Sequence, residues 1–348
     1  MQDCLLGYTL EELTEYLKSI GEKAFRATQL YGWLHKGADF DEMCNLPASL
    51  REKLKETDEA IGVKIIKTLV SQKDGTEKYL FSLRDGNVVE GVLMKYNYGN
   101  TLCISSQVGC RMGCTFCAST LEGRVRDMTA GEMMGEVIAV NRLHANGDQR
   151  GVTNIVMMGS GEPLDNYDNV VRFLKLVSAP GGINISLRNV SVSTCGLADR
   201  MDDLAKENLP ITLSISLHAP TDEARKRIMP IANKYSIARL MKACRDYVGK
   251  AGRRIVFEYA LIEGVNTSLE DADKLPALTR GMLCHVNLIP LNDVPERNLS
   301  APNQQGIDAF QKRLEALHVS VTRRREMGAD IEGACGQLRR KHLSTEGN

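Results

Sequence analysis

The chain has 348 residues and a formal net charge of zero, from 44 basic and 44 acidic side chains. The length predicts one large domain with an appendage, since single domains usually have about 100 to 200 residues. Zero net charge excludes a global field that steers the protein to a polyanion, and the longest apolar runs are far shorter than the ~18 residues of a membrane span. Ten cysteines and a start without a secretory pattern predict a cytoplasmic protein whose thiols serve metal binding or catalysis.

The first sixty residues have the pattern of a small helical domain. Thr9 and Glu12 form the capping-box motif that begins a helix, and Gly21 ends that helix. A second helix is expected over about 25–35, and a third begins at Pro47, a residue suited to a first helical turn. We therefore expect an N-terminal helical accessory domain over residues 1–60.

Residues 61–98 change to β-branched and alternating patterns. Strand patterns cover 63–67, 78–83 and 88–93, and a turn begins at Asp85. A β-hairpin linker over 61–98 is the expected structure.

The cysteines Cys110, Cys114 and Cys117 follow the spacing C-x3-C-x2-C. Three thiolates can hold three irons of a [4Fe-4S] cluster and leave one iron open, whereas an electron-transfer cluster normally has four cysteines. The alternative is a structural zinc site, which is tetrahedral and closed. No histidine lies inside the motif, and the nearest one, His144, is too distant for a compact zinc knuckle. The spacing favours a cluster at which a small molecule binds.

Beyond the hairpin, short apolar runs alternate with helical patterns. The runs lie at 101–106, 154–158, 190–193, 211–217, 255–260 and 286–290. Strands alternating with helices predict a parallel sheet with right-handed crossovers, and six strands suit a partial (β/α)6 barrel over residues 99–348. Functional residues are then expected at the carboxyl ends of the strands.

Small and polar residues do follow these strands. They are Gly161 and Glu162, Ser193, the Ser216, Leu217 and His218 triplet, and Asn292. The first turn lacks the third glycine of a dinucleotide-binding loop. Each residue is also compatible with ordinary strand capping, and His218 with a satisfied core histidine.

Several segments together resemble the RlmN/Cfr family of radical S-adenosylmethionine (SAM) adenosine methylases. They are C-I-S-S-Q-V-G-C-R-M-G-C-T-F-C from Cys103, G-S-G-E-P-L-D-N from Gly159, S-L-H-A from Ser216, L-I-P-L-N from Leu288 and D-I-E-G-A-C-G-Q-L from Asp330. The resemblance covers nearly the whole chain. Ser160 replaces a usual methionine, and 293–296 differs from some members, which affects loops around the expected SAM site and no thiol.

The resemblance implies a fold and a set of cofactors. The fold is an N-terminal helical domain with a partial radical SAM barrel, and Cys110, Cys114 and Cys117 hold one [4Fe-4S] cluster. SAM, two molecules per turnover, is expected to bind at Gly161, Glu162, Ser193, Ser216, Leu217, His218 and Asn292.

Three further residues receive catalytic roles from the resemblance. Cys335 accepts a methyl group as a thiolate nucleophile and carries it to the adenine, Cys103 resolves the resulting adduct through a disulfide, and Glu90 removes the ring proton. The remaining cysteines have no role in the family and are expected to be small buried residues. They are Cys4, Cys44, Cys195, Cys244 and Cys284.

The resemblance also implies partners. The RlmN branch methylates carbon 2 of an adenosine in the peptidyl-transferase region of 23S rRNA and of the adenosine 3′ of the anticodon in some tRNAs. We expect an electron donor such as flavodoxin or ferredoxin, no membrane, and a monomer. The basic runs 323–325 and 339–341 are plausible RNA contacts, although such runs are usually solvated surface.

Two other functions remain open. Methylation at carbon 8, as in the Cfr branch that gives antibiotic resistance, uses the same motifs, and only the N-terminal segments favour RlmN. A non-enzymatic RNA-binding module with a structural metal is the more distant alternative, and it leaves Cys103 and Cys335 without a purpose.

Overall fold

The computed structural model describes residues 4–147, 149–338 and 341–342, the last two by their backbone. Three helices form the N-terminal region: α1 (Leu10–Ser19), α2 (Arg26–Leu34) and α3 (Ala48–Thr57). The predicted capping box begins α1, where the Thr9 hydroxyl accepts from Glu12 N at 3.2 Å and the Glu12 carboxylate accepts from Thr9 N at 2.8 Å.

Four antiparallel strands follow these helices. They are β1 (Val63–Val70), β2 (Glu77–Leu83), β3 (Asn87–Tyr96) and β4 (Gly99–Cys103). The strand expected at 101–106 thus ends at Cys103. Because β3 pairs with β4, and β4 is itself the first strand of the parallel sheet, the hairpin region is hydrogen-bonded into the main sheet.

Parallel strands continue the sheet from β4. They are β7 (Asn154–Met157), β8 (Val190–Thr194), β9 (Thr212–Ser216), β10 (Ile255–Leu261), β11 (Cys284–Pro290) and β12 (Val321–Arg323). The predicted partial α/β barrel is confirmed. It has one more parallel strand than the sequence pattern indicates, because β12 is only three residues long.

Helices lie between the strands and complete the crossovers. They are α4 (Ala130–His144), α5 (Tyr167–Val177), α6 (Ala198–Leu204), α7 (Asp222–Ile228), α8 (Ile237–Ala251), α9 (Leu269–Thr279) and α10 (Gln304–Ala316). A separate antiparallel pair, β5 (Gln107–Gly109) and β6 (Arg124–Asp127), brackets the cysteine loop. A last short strand, β13 (Lys341–His342), pairs with β3. In the described ranges, no helix has both the length and the apolar character needed to cross a membrane.

One apolar core joins the N-terminal helices to the barrel. Buried side chains run without a break from Leu13 and Leu30 to Ile155 and Phe257. Burying this surface is the main favourable term for folding. The helical region is therefore packed as part of the same core.

Polar contacts fix how the helical region meets the barrel. Arg172 donates to the carbonyl of Gly7 at 2.7 Å and also pairs with Glu12. His35 is only 5% exposed and its Nδ1 accepts from Ile183 N at 3.2 Å. Burial lowers the pKa of His35 to about 4, so the ring is neutral at pH 7.

We predict that His35 makes stability depend on pH. Its folded pKa of about 4 lies below the ordinary value of 6.5, so the unfolded chain binds the proton first and stability falls as pH drops below about 6.5. Between pH 7 and pH 5 the loss is about 2 kcal/mol. Urea titrations at pH 7 and pH 5 measure this loss of the free energy of unfolding. The variant His35→Asn keeps a hydrogen-bond acceptor but does not titrate, so its loss between the two pH values should be smaller than that of the wild type by about 2 kcal/mol.

The exposed His318 supplies the matched control. Its φ of 57° is a left-handed conformation that asparagine tolerates, so His318→Asn should behave as the wild type. An identical acid sensitivity in the His35 variant and the wild type would refute the assignment.

Candidate functional site

A cavity opens at the carboxyl ends of the parallel strands. It contains about 1000 Å³ of empty space including its mouth, enough for a nucleoside-sized ligand. Of the residues singled out in the sequence, it is lined by Cys110, Cys114, Cys117, Gly161, Glu162, Ser193, Ser216, His218, Asn292 and Cys335. Residues that follow the parallel strands therefore meet the cysteine loop and Cys335 in one cavity.

Three of the expected residues lie elsewhere. Leu217 is fully buried in the apolar core, although its neighbours Ser216 and His218 line the cavity. Cys103 lines a second, adjoining cavity, which it shares with Cys335. Glu90 is fully buried and does not line either of these two cavities.

The cysteine loop is bonded directly to the segment that carries Cys335. Ala118 N donates to the carbonyl of Gly336 at 2.8 Å, and the Ser119 hydroxyl donates to the carbonyl of Leu338 at 2.6 Å. The Asn292 amide donates to the carbonyl of Cys335 at 2.9 Å. These bonds hold Cys335 beside the three cysteines, 218 or more positions away in sequence.

Only glycine fits where this loop begins. Gly109 has a φ of 76°, and a Cβ there would lie 1.9 Å from the carbonyl oxygen of Gly123. The close approach lets β5 and β6 pair tightly in front of Cys110.

Burial disfavours the ionised, thiolate form of the three cysteines. It raises the pKa of Cys110 to about 12 and the pKa of Cys114 further. Metal ligation needs the deprotonated form, so ligation by these thiols would have to be coupled to their ionisation. Within the described ranges, no group of three or more His, Cys, Asp or Glu side chains is placed closely enough to hold a metal ion, although the three cysteines line one cavity together.

A buried guanidinium lies behind these thiols. Arg225 is fully buried and donates to the carbonyls of Cys195 at 2.7 Å and of Ser216 and Leu217 at 3.1 Å. Its Nη1 has no hydrogen-bond partner among the described residues. Its positive charge lowers the pKa of the Cys114 thiol against the larger effect of burial. Three thiols in an open cavity beside a fixed positive charge fit an iron–sulfur cluster that is negative overall.

Glu162 holds the glycine-rich turn after β7. One carboxylate oxygen accepts from Cys195 N at 2.7 Å and the other from Leu164 N at 3.0 Å. Burial raises the pKa of this carboxyl group. Gly161 has a φ of 106°, and a Cβ there would lie 2.6 Å from the Cβ of Gln107. The backbone of this turn therefore lies close to the cavity.

His218 is a neutral hydrogen-bond donor at the cavity wall. Its Nδ1 accepts from Ala260 N at 2.9 Å, which places the proton on Nε2. Burial, aided by the charge of Arg225, lowers its pKa to about 3. The ring meets Phe116 edge-on, with centroids 4.9 Å apart. It is thus buried, as a core histidine is, and it also lines the cavity.

Cys335 stands between the two cavities. It is half-buried and lines both of them, whereas Cys103 lines only the second. Burial raises the pKa of Cys103 to about 12, and the positive charge of Arg324 acts in the opposite direction. All ten cysteines are free thiols in this structure.

A buried ion pair connects Glu90 to the Cys335 segment. Lys78 Nζ lies 3.1 Å from Glu90 Oε2, with the side chains 1% and 0% exposed. The same ammonium donates to the carbonyl of Glu332 at 2.9 Å. Strand register places Lys78 opposite Val92, and Val92 opposite Cys103, so these groups share one side of the sheet. A second hydrogen bond joins this segment to the hairpin region, where the Ser71 hydroxyl donates to the Asp330 carboxylate at 2.7 Å.

Sequence reasoning missed some residues of the site. Glu258, in the middle of β10, lines the main cavity, and burial raises its pKa. Arg324 directly follows β12 and lines both cavities. The expectation that functional residues follow the parallel strands would have pointed to it, but the sequence pattern did not reveal β12. Cys195 is buried as expected and also lines the main cavity. The expectation of burial is wrong for Cys44, which is exposed, and for Cys284, which is only half-buried. The run 339–341 lies outside the residues whose side chains are described.

Comparison with known proteins extends these findings. Residues 104–275 match the family model of the radical SAM superfamily, and residues 4–60 match that of the ribosomal RNA large subunit methyltransferase N-terminal domain. The chain is 54% identical to a probable dual-specificity RNA methyltransferase RlmN of Lachnospira eligens, covering 96% of this chain and 95% of the relative. A relative with the same name from Clostridium perfringens is 51% identical over 99% and 98%.

A solved structure is also similar over nearly the whole chain. It is a radical SAM methyltransferase from Sphaerobacter thermophilus, with a TM-score of 0.93 and 41% identity, covering 97% of this chain and 99% of that one.

We predict that Lys78 is needed for stability. Lys78→Met takes the cation away from a fully buried carboxylate, which costs about 3–5 kcal/mol. Lys95→Met is the matched control, since Lys95 is 45% exposed and its pair with Glu77 is worth at most about 1 kcal/mol. Urea unfolding of both variants measures the difference. Equal losses would contradict a special role for the buried pair.

Proposed function

Because the chain belongs to the RlmN family of radical SAM RNA methyltransferases, we propose that it methylates carbon 2 of an adenosine in 23S rRNA and in tRNA. The methyl carbon travels through Cys335. The observation that carries this proposal is the position of Cys335, which lines both the cavity of the three cysteines and the cavity of Cys103. In this position, the Cys335 thiol can carry a carbon that reacts with a radical in the first cavity and is released by the Cys103 thiol in the second.

The family uses a [4Fe-4S] cluster and SAM. We assign Cys110, Cys114 and Cys117 as the cluster ligands. SAM is assigned to the strand-end residues of the main cavity, where Gly161 offers close backbone and His218 a donor Nε2. The full set is Gly161, Glu162, Ser193, Ser216, His218 and Asn292, with Leu217 holding its two neighbours in place from the core.

Cys335 begins the reaction as a nucleophile. Its thiolate takes a methyl group from one SAM and becomes S-methylcysteine. A cluster held by Cys110, Cys114 and Cys117 would supply the electron that splits a second SAM into methionine and a 5′-deoxyadenosyl radical, and that radical would take one hydrogen atom from the methyl group on Cys335. Carbon 2 of adenine is electron-poor between two ring nitrogens, so it accepts the resulting carbon radical where it could not attack a methyl donor.

Glu90 and Cys103 release the product. After the new bond forms, the ring loses one electron to a one-electron acceptor and its carbon 2 proton to a base, which restores aromaticity. The family resemblance gives the role of base to Glu90, which lines neither cavity and so has to receive the proton through an intervening group. Cys103 then attacks the Cys335 sulfur, the bond from that sulfur to the new carbon breaks, and the carbon takes a proton to become methyl. A disulfide joins the two cysteines and needs two electrons to reopen. Lys78 holds Glu90 on the side of the sheet that carries Cys103.

The remaining partners follow from this chemistry. A reacting adenosine must leave its stack to reach a buried cavity, which requires single-stranded or locally opened RNA. We assign RNA docking to the N-terminal helical domain, residues 1–60, and the barrel with its hairpin, 61–98 and 99–348, to catalysis. A flavodoxin or ferredoxin supplies electrons, and one chain suffices for the site.

Nucleoside mass spectrometry tests the function directly. Reconstituted protein is incubated anaerobically with SAM, reductant and unmodified 23S rRNA or tRNA, and the digested RNA is compared with authentic standards. We expect 2-methyladenosine from both RNAs. Finding 8-methyladenosine would move the reaction to the other carbon, and finding neither in either RNA would overturn the proposal.

Single cysteine variants separate the two thiol roles. Cys335→Ala should abolish methylation and retain cluster iron, because the carbon carrier is lost and the ligands are not. Cys103→Ala should accumulate protein joined covalently to RNA through Cys335, seen as a slowly migrating band on a denaturing gel.

The exposed Cys44 gives the control for these variants, and Cys44→Ala should turn over normally. Methylation by Cys335→Ala would exclude the carrier role. A Cys103→Ala enzyme that turns over repeatedly without an adduct would exclude the resolving role.

A further inference from the structure

Tyr98 is an exposed aromatic ring held in a defined orientation. It is 74% exposed, the most of any large apolar side chain in the described part of the chain. It lies in the turn between β3 and β4, where its ring stacks on Tyr96 with centroids 4.9 Å apart and planes 7° apart. One face of Tyr98 is thus covered by another ring and the other is open to solvent.

The tyrosine pair adjoins the cavity of the two catalytic thiols. Strand alternation places Val92, Met94 and Tyr96 on one side of β3, and Val92 lies opposite Cys103. Tyr96 packs against the apolar cluster that includes Cys103, and its hydroxyl donates to Met94 Sδ at 3.5 Å. Val92, Met94, Cys103 and Cys335 line the same cavity. Tyr96 therefore packs next to residues that line this cavity, and Tyr98 extends the ring pair to the surface at the turn between β3 and β4.

The surroundings carry positive charge. Arg324 and the exposed Arg325 line the same cavity, together with one acidic residue, Glu326. Both guanidiniums lie close enough to Tyr96 to lower its pKa against the larger raising effect of burial. The nearby Lys95 and Glu77 neutralise each other at 2.6 Å. An exposed aromatic face, with the exposed guanidinium of Arg325 near the ring that supports it, complements a nucleobase with its phosphate.

We propose that Tyr98, supported by Tyr96, is the stacking platform for the nucleotide next to the target adenosine. The proposal rests on the proposed function and names a contact of its RNA substrate. Extruding one base costs the stacking of its neighbours, and a fixed aromatic ring restores part of it, since stacking a base on an aromatic side chain is worth about 1–3 kcal/mol. Stacking is tolerant of base identity, so one ring can serve both RNAs whichever base adjoins the adenosine.

Steady-state methylation of a short RNA stem-loop tests the platform. Tyr98→Ala should raise KM for RNA by roughly 5- to 150-fold, the equivalent of the stacking free energy, with kcat at saturating RNA unchanged. Tyr98→Phe keeps the ring and should stay within about twofold of the wild type. Leu143→Ala, which removes another exposed apolar side chain on α4, should leave KM unchanged. Iron content per chain verifies that each variant holds its cluster.

A fluorescent base reports the contact itself. With 2-aminopurine beside the target adenosine, binding of the wild type should quench the fluorescence, and Tyr98→Ala should lose that quenching. An unchanged KM, or quenching that survives in Tyr98→Ala, would overturn the platform and point to another occupant of the ring pair, while methylation by the wild type would still support the proposed function. Absence of methylation and binding in the wild type would instead refute that function.

Discussion

The site depends on the hydrogen bonds that tie the cysteine loop to the C-terminal segment. Ala118 N and the Ser119 hydroxyl hold the carbonyls of Gly336 and Leu338, and Asn292 holds the carbonyl of Cys335. Backbone carbonyls in such places must find donors, because an unpaired buried carbonyl is costly. Pairing them with the loop satisfies this requirement and sets Cys335 against the main cavity. Every role assigned to Cys335 requires that placement.

Buried cations form a second layer of organisation. Arg225 lies behind Cys114, Lys78 beside Glu90, and Arg324 near Cys103, each against a group that must carry negative charge during the proposed reaction. Moving such charges out of water is unfavourable unless nearby groups compensate for it. Carbonyl oxygens provide part of this compensation for Arg225 and Lys78. The protein therefore supplies fixed positive charge in a region where burial raises thiol pKa values.

The sequence predicts the fold and most of the main cavity because both follow from periodicity. Parallel strands end at one edge, so Gly161, Ser193 and His218 could be placed together without a structure. The strand β12 could not be recognised, since three residues carry no period, and Arg324 was missed with it. Alternation places Glu90 and Lys78 on strands but leaves open which side they face. Only the register shows that they form one diagonal pair on the side of Cys103.

Cys335 lies on a segment that is anchored at both ends. Asp330 is held by Ser71 and the Glu332 carbonyl by Lys78 on one side, and Leu338 by Ser119 on the other. The carbonyls of Cys335 and Gly336 between these anchors are also held, by Asn292 and Ala118, so the sulfur is a short tethered arm with a limited radius. In the proposed reaction, exchanging partners across the two cavities then requires rotation of the Cys335 side chain, with no refolding of the segment. Lengthening this tether by insertion would dilute the local concentration of each sulfur around the other and slow the exchange while leaving every reactive group in place.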